Sequence, residues 1–275
     1  MEKRAARRRL MSDMLMGAGD SPRSRAGAAV APSAANEPIS AEPGRTPRET
    51  PPLTPEWQPI VAITTAGPRA EALAALRQAH DQTCPHCTTA TTHTQTVFGE
   101  GSPDAEIMFV GEAPGETEDR LGRPFVGRAG QKLDEMIQAM GLTRESVYIA
   151  NILKSRPPDN RTPLPDEVAK CAPFLTEQIL LIRPRVLVPL GGPATQFLLQ
   201  TQVGITRLRG IWATWQAPEA RGCPDIPIMP TFHPAYLLRN YTAKTRGEVW
   251  NDLCAVLERL GKQAPLRARQ QSPNS

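Results

Sequence analysis

Four short apolar runs, each followed by a stretch with helical periodicity, constrain the fold more than any other feature. The runs are 107–110, 147–150, 186–190 and 228–232, and the helical stretches between and after them are 129–140, 166–182, 193–199 and 246–260. A fifth helical stretch precedes them, from about residue 67 through His80 and into Cys84. Short apolar runs bounded by turn residues are typical of strands buried on both faces of a parallel sheet. This alternation predicts an α/β fold: a three-layer α/β/α sandwich around a central four-stranded parallel sheet.

The chain divides into one compact domain and two flanking segments. We expect residues 1–66 to comprise a short basic helix and a disordered linker, because nine prolines between positions 22 and 59 accompany repeated Ala, Arg, Ser and Glu. Residues 67–262 form the predicted domain, which is long enough to bury its own core. Residues 263–275 are expected to be a disordered tail.

Charge and cysteine usage narrow the class of protein. A net charge of +4 and a pI of about 8.9 suit a polyanionic partner without requiring one. Five unevenly spaced cysteines do not indicate a disulfide framework, so we expect a reducing compartment. There is neither an apolar run of about 18 residues nor an export signal, so the prediction is a cytoplasmic protein without a membrane partner.

Polar and glycine-rich motifs follow the predicted strands. The first strand leads into Gly111 and the sequence GEAPGETED, and a loop reading GRPFVGRAG lies shortly after it. Asn151 follows the second strand, and His233 follows the fourth. Ligands of such sheets bind beyond the carboxyl ends of the strands, so we expect these residues to share one site. The turn after the first strand lacks Lys and carries four acidic side chains, which argues against a phosphate site.

These motifs, together with NILKSRPPDNRTP from Asn151, the VPLGG turn and FHPAYLLRN, resemble those of the type-4 uracil-DNA glycosylases of the uracil-DNA glycosylase superfamily. The resemblance covers about residues 70–260. It implies a monofunctional DNA repair enzyme that flips uracil out of DNA and hydrolyses its N-glycosidic bond. The products would be free uracil and an abasic site. We expect a monomer that acts on uracil-containing DNA at the bacterial nucleoid.

The resemblance assigns most pocket residues to uracil binding. Phe125 offers an aromatic face for the flipped base, and the Asn151 amide can pair with O4 and N3–H of uracil but not with the reversed pattern of cytosine. His233 is expected to donate a hydrogen bond to uracil O2 as negative charge develops on the base. The full predicted uracil-binding set is Gly111, Glu112, Ala113, Gly115, Phe125, Asn151 and His233.

Catalysis is assigned to His233, Glu112 and Glu118. The two glutamates are candidates for orienting the attacking water or for closing the pocket against the C5 methyl group of thymine, and the sequence does not divide these roles between them. Tyr236, Leu237, Leu238 and Arg239 are predicted to contact DNA as an apolar wedge with a phosphate ligand. The alternative is that Leu237 and Leu238 begin a helix that packs into the core.

The resemblance also implies a [4Fe-4S] cluster, whose predicted ligand positions are Cys84, Cys87, Ser155 and Cys171. At the third of these positions the family has a cysteine and this chain has Ser155. Three outcomes are open: an alkoxide ligand from Ser155, a cluster on three cysteines, or a site that holds zinc or nothing. Cys223, Cys254 and His86 are possible substitute ligands.

Two other functions compete with excision. One is a uracil-DNA-binding or damage-sensing protein with weak or no activity. Relatives that trap the abasic site covalently carry a reactive histidine near the block after Asn151, and RPPDNRTP contains none. The other is an enzyme acting on a small nucleotide, which would leave the FHPAYLLRN segment unexplained.

Overall fold

A computed structural model describes residues 68–218 and 222–264. The predicted basic helix and linker at 1–66 lie outside the described residues, as does most of the predicted tail. Among the described residues, none of the helices combines the length and the apolar character that a membrane span requires.

The sheet has six strands in the order β1-β3-β2-β4-β6-β5. The four inner strands are mutually parallel, which confirms the predicted parallel sheet, and two short antiparallel strands extend its edges. Edge strands of two and three residues carry no apolar run, so the sequence pattern did not predict them. The strands are β1 (Glu100–Gly101), β2 (Ile107–Gly111), β3 (Tyr148–Asn151), β4 (Val186–Pro189), β5 (Ala213–Trp215) and β6 (Ile226–Ile228).

Strand β6 differs from its prediction at both ends. The apolar run 228–232 predicted a continuous strand, whereas β6 starts at Ile226 and ends at Ile228. Beyond Ile228 the pairing continues as an isolated bridge between Leu190 and Thr231 and as backbone hydrogen bonds from Met229 and Thr231 to β4. Pro230 lies in the gap and has no N–H group to donate to the neighbouring strand.

Eight α-helices cover the sheet within the described residues. The five predicted helices are present within three residues of their expected ends. Of the three short ones, α7 contains the helix considered as an alternative for Leu237 and Leu238, whereas α2 and α6 were not predicted. The helices are α1 (Arg69–Thr83), α2 (Glu116–Leu121), α3 (Arg128–Ala139), α4 (Pro165–Ile182), α5 (Gly192–Leu199), α6 (Ile205–Leu208), α7 (Pro234–Arg239) and α8 (Ala243–Arg259).

The side chains of alternate residues of the inner strands are buried in two separate hydrophobic cores, one on each face of the sheet. Met108 and Val110 of β2 pack with residues of α1, α4 and α5, whereas Ile107 and Phe109 pack with residues of α3 and α8. Successive side chains of a strand point to opposite faces, so a five-residue run that is buried throughout needs cover on both sides. The result is the predicted three-layer α/β/α sandwich.

Candidate active site and metal centre

The floor of the candidate pocket is formed where β2 and β3 end side by side. Gly111 and Asn151 are partners in the parallel register, so the Asn151 side chain projects directly beside the glycine. Asn151 is 1% exposed, and its Oδ1 atom is buried without a hydrogen-bond partner. An unpaired buried acceptor costs about 1–3 kcal/mol, which a ligand with an N–H group can recover.

Phe125 forms one wall of the pocket. Its backbone has φ of +49°, an unusual value for a non-glycine residue, and Arg144 supports this conformation by donating to the Phe125 carbonyl at 3.1 Å. The Phe125 ring faces Gly111, at which an added Cβ would lie only 2.5 Å from Phe125 Cζ. The ring centroids of Phe125 and His233 are 5.7 Å apart. The ring is therefore held between the strand end and the histidine.

His233 lies on the opposite side, at the start of α7. The Ala235 N–H donates to His233 Nδ1 at 3.1 Å, which leaves the proton of the neutral ring on Nε2. Burial, with a smaller contribution from the positive charge of Arg239, lowers the pKa of His233 to about 4. The imidazole is thus a neutral donor through Nε2 at physiological pH. Gly191 makes room for it, because a Cβ there would contact His233 Cβ at 3.0 Å.

The structure places the two candidate glutamates in different settings. Glu118 Oε1 accepts hydrogen bonds from the Val126 and Gly127 N–H groups, at 2.9 and 2.8 Å, and so anchors the loop that presents Phe125. Glu112 has a buried Oε1 atom without a partner, and burial raises the pKa of its carboxyl group. Glu112 is the carboxylate that remains available to a ligand or a water molecule.

Ala113 and Gly115 shape the turn between these groups. Ala113 is half-buried and packs against the core on the α1 and α4 side of the sheet. Gly115 precedes α2 in an extended conformation, and a Cβ there would lie 2.9 Å from Glu118 Oε2. The turn therefore leaves space for the Glu118 carboxylate.

Helix α7 separates the four residues that were predicted to form a DNA-contacting wedge. Leu237 is fully buried in the core, so its assignment to an exposed wedge is wrong and the alternative of core packing holds for this residue. Leu238 is 36% exposed, and Arg239 is exposed beside it. Tyr236 stacks on Phe232 with ring centroids 4.6 Å apart. Only part of the predicted set is accessible, because neighbouring positions on a helix face different directions.

Three of the predicted metal-ligand cysteines meet in a buried cluster with a histidine. Candidate donor atoms of His80, Cys84, Cys87 and Cys171 all lie within 4.8 Å of one another. Cys87 Sγ is 3.8 Å from Cys171 Sγ, and Ser155 Oγ is 3.4 Å from Cys87 Sγ. The cluster joins α1, the loop after it, the segment after β3 and α4. It is a donor set that can hold a metal.

The other proposed substitutes are not part of this set. His86 lies between the two loop cysteines, yet the group of four close donors contains His80 instead. Cys223 Sγ lies 3.5 Å from the Pro224 carbonyl oxygen, and Cys254 is on α8.

Sequence reasoning missed His80 as a candidate ligand. A signal was present, because His80 and Cys84 are four residues apart at the end of a predicted helix and such positions share one helix face. It also predicts Lys154 as a phosphate contact on the surface, which is wrong: Lys154 is fully buried, and its Nζ donates to the Asn151 carbonyl at 2.8 Å and to the Gln178 side chain. Lys154 links the pocket floor to the metal centre, since its backbone N–H donates to Cys171 Sγ at 3.2 Å.

The [4Fe-4S] cluster fits this donor set poorly. A cubane of iron and sulfide lies between its four thiolate ligands and keeps them well apart, whereas here the donors are close enough to share one ion. The third position of the family pattern is also a hydroxyl, that of Ser155, instead of a thiol.

Comparison with known proteins agrees with this pocket. The family model of the uracil DNA glycosylase superfamily matches residues 98–254, which include all of the pocket residues described above. The match begins after His80, Cys84 and Cys87, so three of the four donors of the metal centre lie outside the matched residues.

Similar proteins point to one branch of that superfamily. The type-4 uracil-DNA glycosylase of Thermotoga maritima is 46% identical over 171 residues, covering 62% of this chain and 85% of that protein. Its namesake from Sulfurisphaera tokodaii is 45% identical, covering 57% and 72% of the two chains. A third, from Archaeoglobus fulgidus, is 42% identical, covering 66% and 90%. The chain therefore belongs to the type-4 uracil-DNA glycosylases.

Proposed function

We infer that this type-4 uracil-DNA glycosylase removes uracil from DNA by hydrolysing the N-glycosidic bond, which yields free uracil and an abasic site for repair. The observation that carries the inference is the buried, unpartnered Oδ1 atom of Asn151, with Phe125 and His233 beside it. Flipping a base out of the stack costs a few kcal/mol, and binding of that base in a pocket with matching partners offsets this free energy.

Base recognition rests on Asn151 and Phe125. Oδ1 accepts from uracil N3–H, and the amide nitrogen donates to O4. Cytosine has an acceptor at N3 and a donor amine at C4, so it opposes both contacts. Phe125 stacks on the base, which contributes about 1–3 kcal/mol. The Lys154 ammonium holds the Asn151 backbone in place.

Bond cleavage rests on His233 and Glu112. The neutral His233 ring donates from Nε2 to uracil O2 and stabilises the anion that develops as the bond breaks. Glu112 Oε1 is buried without a hydrogen-bond partner, and Glu112 directly follows Gly111 of the pocket floor, so we assign to its carboxylate the orientation of the attacking water and the stabilisation of positive charge on the sugar. Glu118 acts as a positioning residue, since its carboxylate is already bound to the Phe125 loop.

DNA binding involves the accessible part of α7. We assign to Leu238 the insertion into the base stack and to Arg239 a phosphate contact, with Tyr236 supporting the helix. The proposed pocket residues all come from one chain, which supports action as a monomer. DNA as the proposed substrate supports action at the nucleoid in the cytoplasm.

The metal centre braces these elements rather than taking part in hydrolysis. The [4Fe-4S] cluster that the family resemblance implies is one candidate occupant, with Ser155 where the third thiolate is expected. The close spacing of the four donors favours a single ion instead.

The test is single-turnover excision from an oligonucleotide with one uracil, followed by alkali to reveal abasic sites. Asn151→Ala removes two hydrogen bonds, each worth about 1–3 kcal/mol when its partner stays buried, so excision should fall by about 100-fold or more. Asn251→Ala, at an exposed position on α8, is the matched control and should be unchanged. Uracil-dependent binding without any abasic product would instead establish the damage-sensing alternative.

A further inference from the structure

The buried cluster at the end of α1 has the dimensions of a site for one tetrahedral ion. Metal–sulfur bonds of about 2.3 Å in a tetrahedron place neighbouring sulfur atoms about 3.8 Å apart. Cys87 Sγ and Cys171 Sγ are 3.8 Å apart, and the four donors all lie within 4.8 Å of one another. Cys84, Cys87 and Cys171 are buried, as a closed structural site requires.

His80 is oriented as a ligand. Its side chain is fully buried, and its Nδ1 atom lies 2.8 Å from Asp81 Oδ1. This contact places the ring proton on Nδ1 and leaves the lone pair on Nε2, which is buried and has no hydrogen-bond partner. Metal-bound histidines commonly donate their other ring N–H to a carboxylate in this way.

The ring of His80 is also fixed in place. Phe174 packs edge-on against it with ring centroids 4.8 Å apart, and Phe98 lies 5.7 Å away. Without an ion, this imidazole nitrogen would be buried among aromatic rings and could reach only the neighbouring thiol groups of Cys84 and Cys87. The apolar surroundings therefore point to a ligand on Nε2.

Ser155 is close to the cluster but is a poorer donor than His80. Its Oγ lies 3.4 Å from Cys87 Sγ, at hydrogen-bonding distance for sulfur. A neutral hydroxyl binds metals weakly, because it must lose a proton at a pH far above neutrality, whereas a neutral imidazole is ready to bind. Ser155 is thus suited to donate a hydrogen bond to a thiolate that the ion already holds.

The charge around the cluster agrees with ionised thiols. Lys154 is fully buried, and its Nζ hydrogen bonds go to the neutral oxygen atoms of Asn151 and Gln178. A buried ammonium group needs a nearby negative charge. Three thiolates with one divalent cation carry a net charge of −1, which balances Lys154.

We propose that His80, Cys84, Cys87 and Cys171 bind a single zinc ion, with His80 as the fourth ligand in place of the cysteine that is missing at position 155. The ion is structural, because all four positions are occupied by protein and none is left for water or substrate. It ties α1 to α4 and to the segment after β3 that carries Lys154. The site involves no electron transfer and no exchange with the DNA substrate.

The first test is the metal content of the full chain, purified without oxygen from cells grown with both iron and zinc in excess. We expect about one zinc per chain, no acid-labile sulfide and no visible absorption. Iron and sulfide in stoichiometric amounts, with the colour of an iron–sulfur cluster, would overturn the proposal. So would a protein that keeps its stability after treatment with a chelator and holds no metal.

Variants then identify the fourth ligand. His80→Ala should weaken zinc binding by at least 10-fold, since loss of even an outer partner of a ligand costs about 10–100-fold. His86→Ala is the matched control, because His86 lies between the two loop cysteines but outside the group of four donors. Equal loss in both variants, or loss in Ser155→Ala alone, would refute the assignment of His80.

His80→Cys keeps the proposal testable if His80→Ala does not fold. A fourth thiolate should retain one zinc per chain, and the visible spectrum of the cobalt-substituted protein should gain intensity in the thiolate charge-transfer region relative to the wild type. An unchanged cobalt spectrum would mean that residue 80 is not a ligand. These readouts do not depend on uracil excision, so they stand or fall separately from the proposed activity.

Discussion

Gly111 tests the geometry of the pocket most directly, because a single methyl group there reaches both base-binding side chains. In Gly111→Ala the new Cβ would lie 2.5 Å from Phe125 Cζ and closer still to Asn151 Oδ1. Carbon atoms in ordinary contact are about 3.5–4.0 Å apart. The ring and the amide must therefore each move by about 1 Å.

The consequences for stability and for activity differ in size. The atoms that must give way belong to side chains, so the fold can accommodate the methyl group at an overpacking cost of about 1–3 kcal/mol. Excision depends on where those side chains lie, and a displacement of about 1 Å lowers a rate by about 100-fold. We expect a folded protein with excision reduced by about 100-fold or more.

Single-turnover excision and thermal unfolding measure the two effects side by side. Gly247→Ala is the matched control: a Cβ at this position of α8 has nothing within 4 Å, and alanine should stabilise the helix by about 1 kcal/mol without changing excision. If Gly111→Ala excised uracil within about tenfold of the wild-type rate, Asn151 and Phe125 would not be the base-binding groups.

Three further predictions concern neighbouring groups. Burial raises the pKa of Glu112 above 4.5, and the carboxylate is the active form in the proposed mechanism. Excision should therefore decline as the pH falls through that raised pKa. Glu112→Gln should excise uracil more slowly, and its pH–rate profile should lack this decline at acidic pH. His233→Ala should lower the single-turnover rate by about 100- to 1000-fold. The pKa of His233 is about 4, so its ring should be neutral while it donates. A wild-type rate that required protonation of His233 near pH 6–7 would contradict this role. Arg144→Met removes the hydrogen bond to the Phe125 carbonyl together with partly buried ion pairs. Urea unfolding should show that the free energy of unfolding falls by about 3 kcal/mol, and excision should fall as well. Arg123→Met, at a largely exposed ion pair, should lower the free energy of unfolding by less than about 1 kcal/mol.

The ligand set of the metal centre cannot be predicted completely from local sequence patterns. Cys84 and Cys87 are a visible pair, but their partner Cys171 is 84 residues from Cys87 along the chain. Whether His80 or His86 joins them depends on how α1 packs against α4, and sequence distance alone favours His86, which lies between the two cysteines. Only the packed structure shows that the His80 ring lies against Phe174 and faces the thiols.

The two leucines of α7 make the same point within a single motif. Leu237 and Leu238 are adjacent and chemically identical, yet one is fully buried and the other is 36% exposed. The direction in which each points follows from the helix that starts at Pro234, which the sequence offered only as an alternative to an exposed wedge. The difference between Glu112 and Glu118 likewise depends on tertiary contacts, because the Val126 and Gly127 N–H groups donate to the Glu118 carboxylate.

The sequence by itself determined the four parallel strands, the helices between them and the edge of the sheet at which Gly111, Asn151 and His233 would meet. Apolar periodicity is a local property, and the rule that ligands bind beyond the carboxyl ends of parallel strands converts it into a site. The tertiary structure alone decided which side chains turn toward that site, which become core and which nitrogen faces the three thiols. These choices depend on contacts between segments far apart in the chain, and their energies are not encoded in any one stretch of residues.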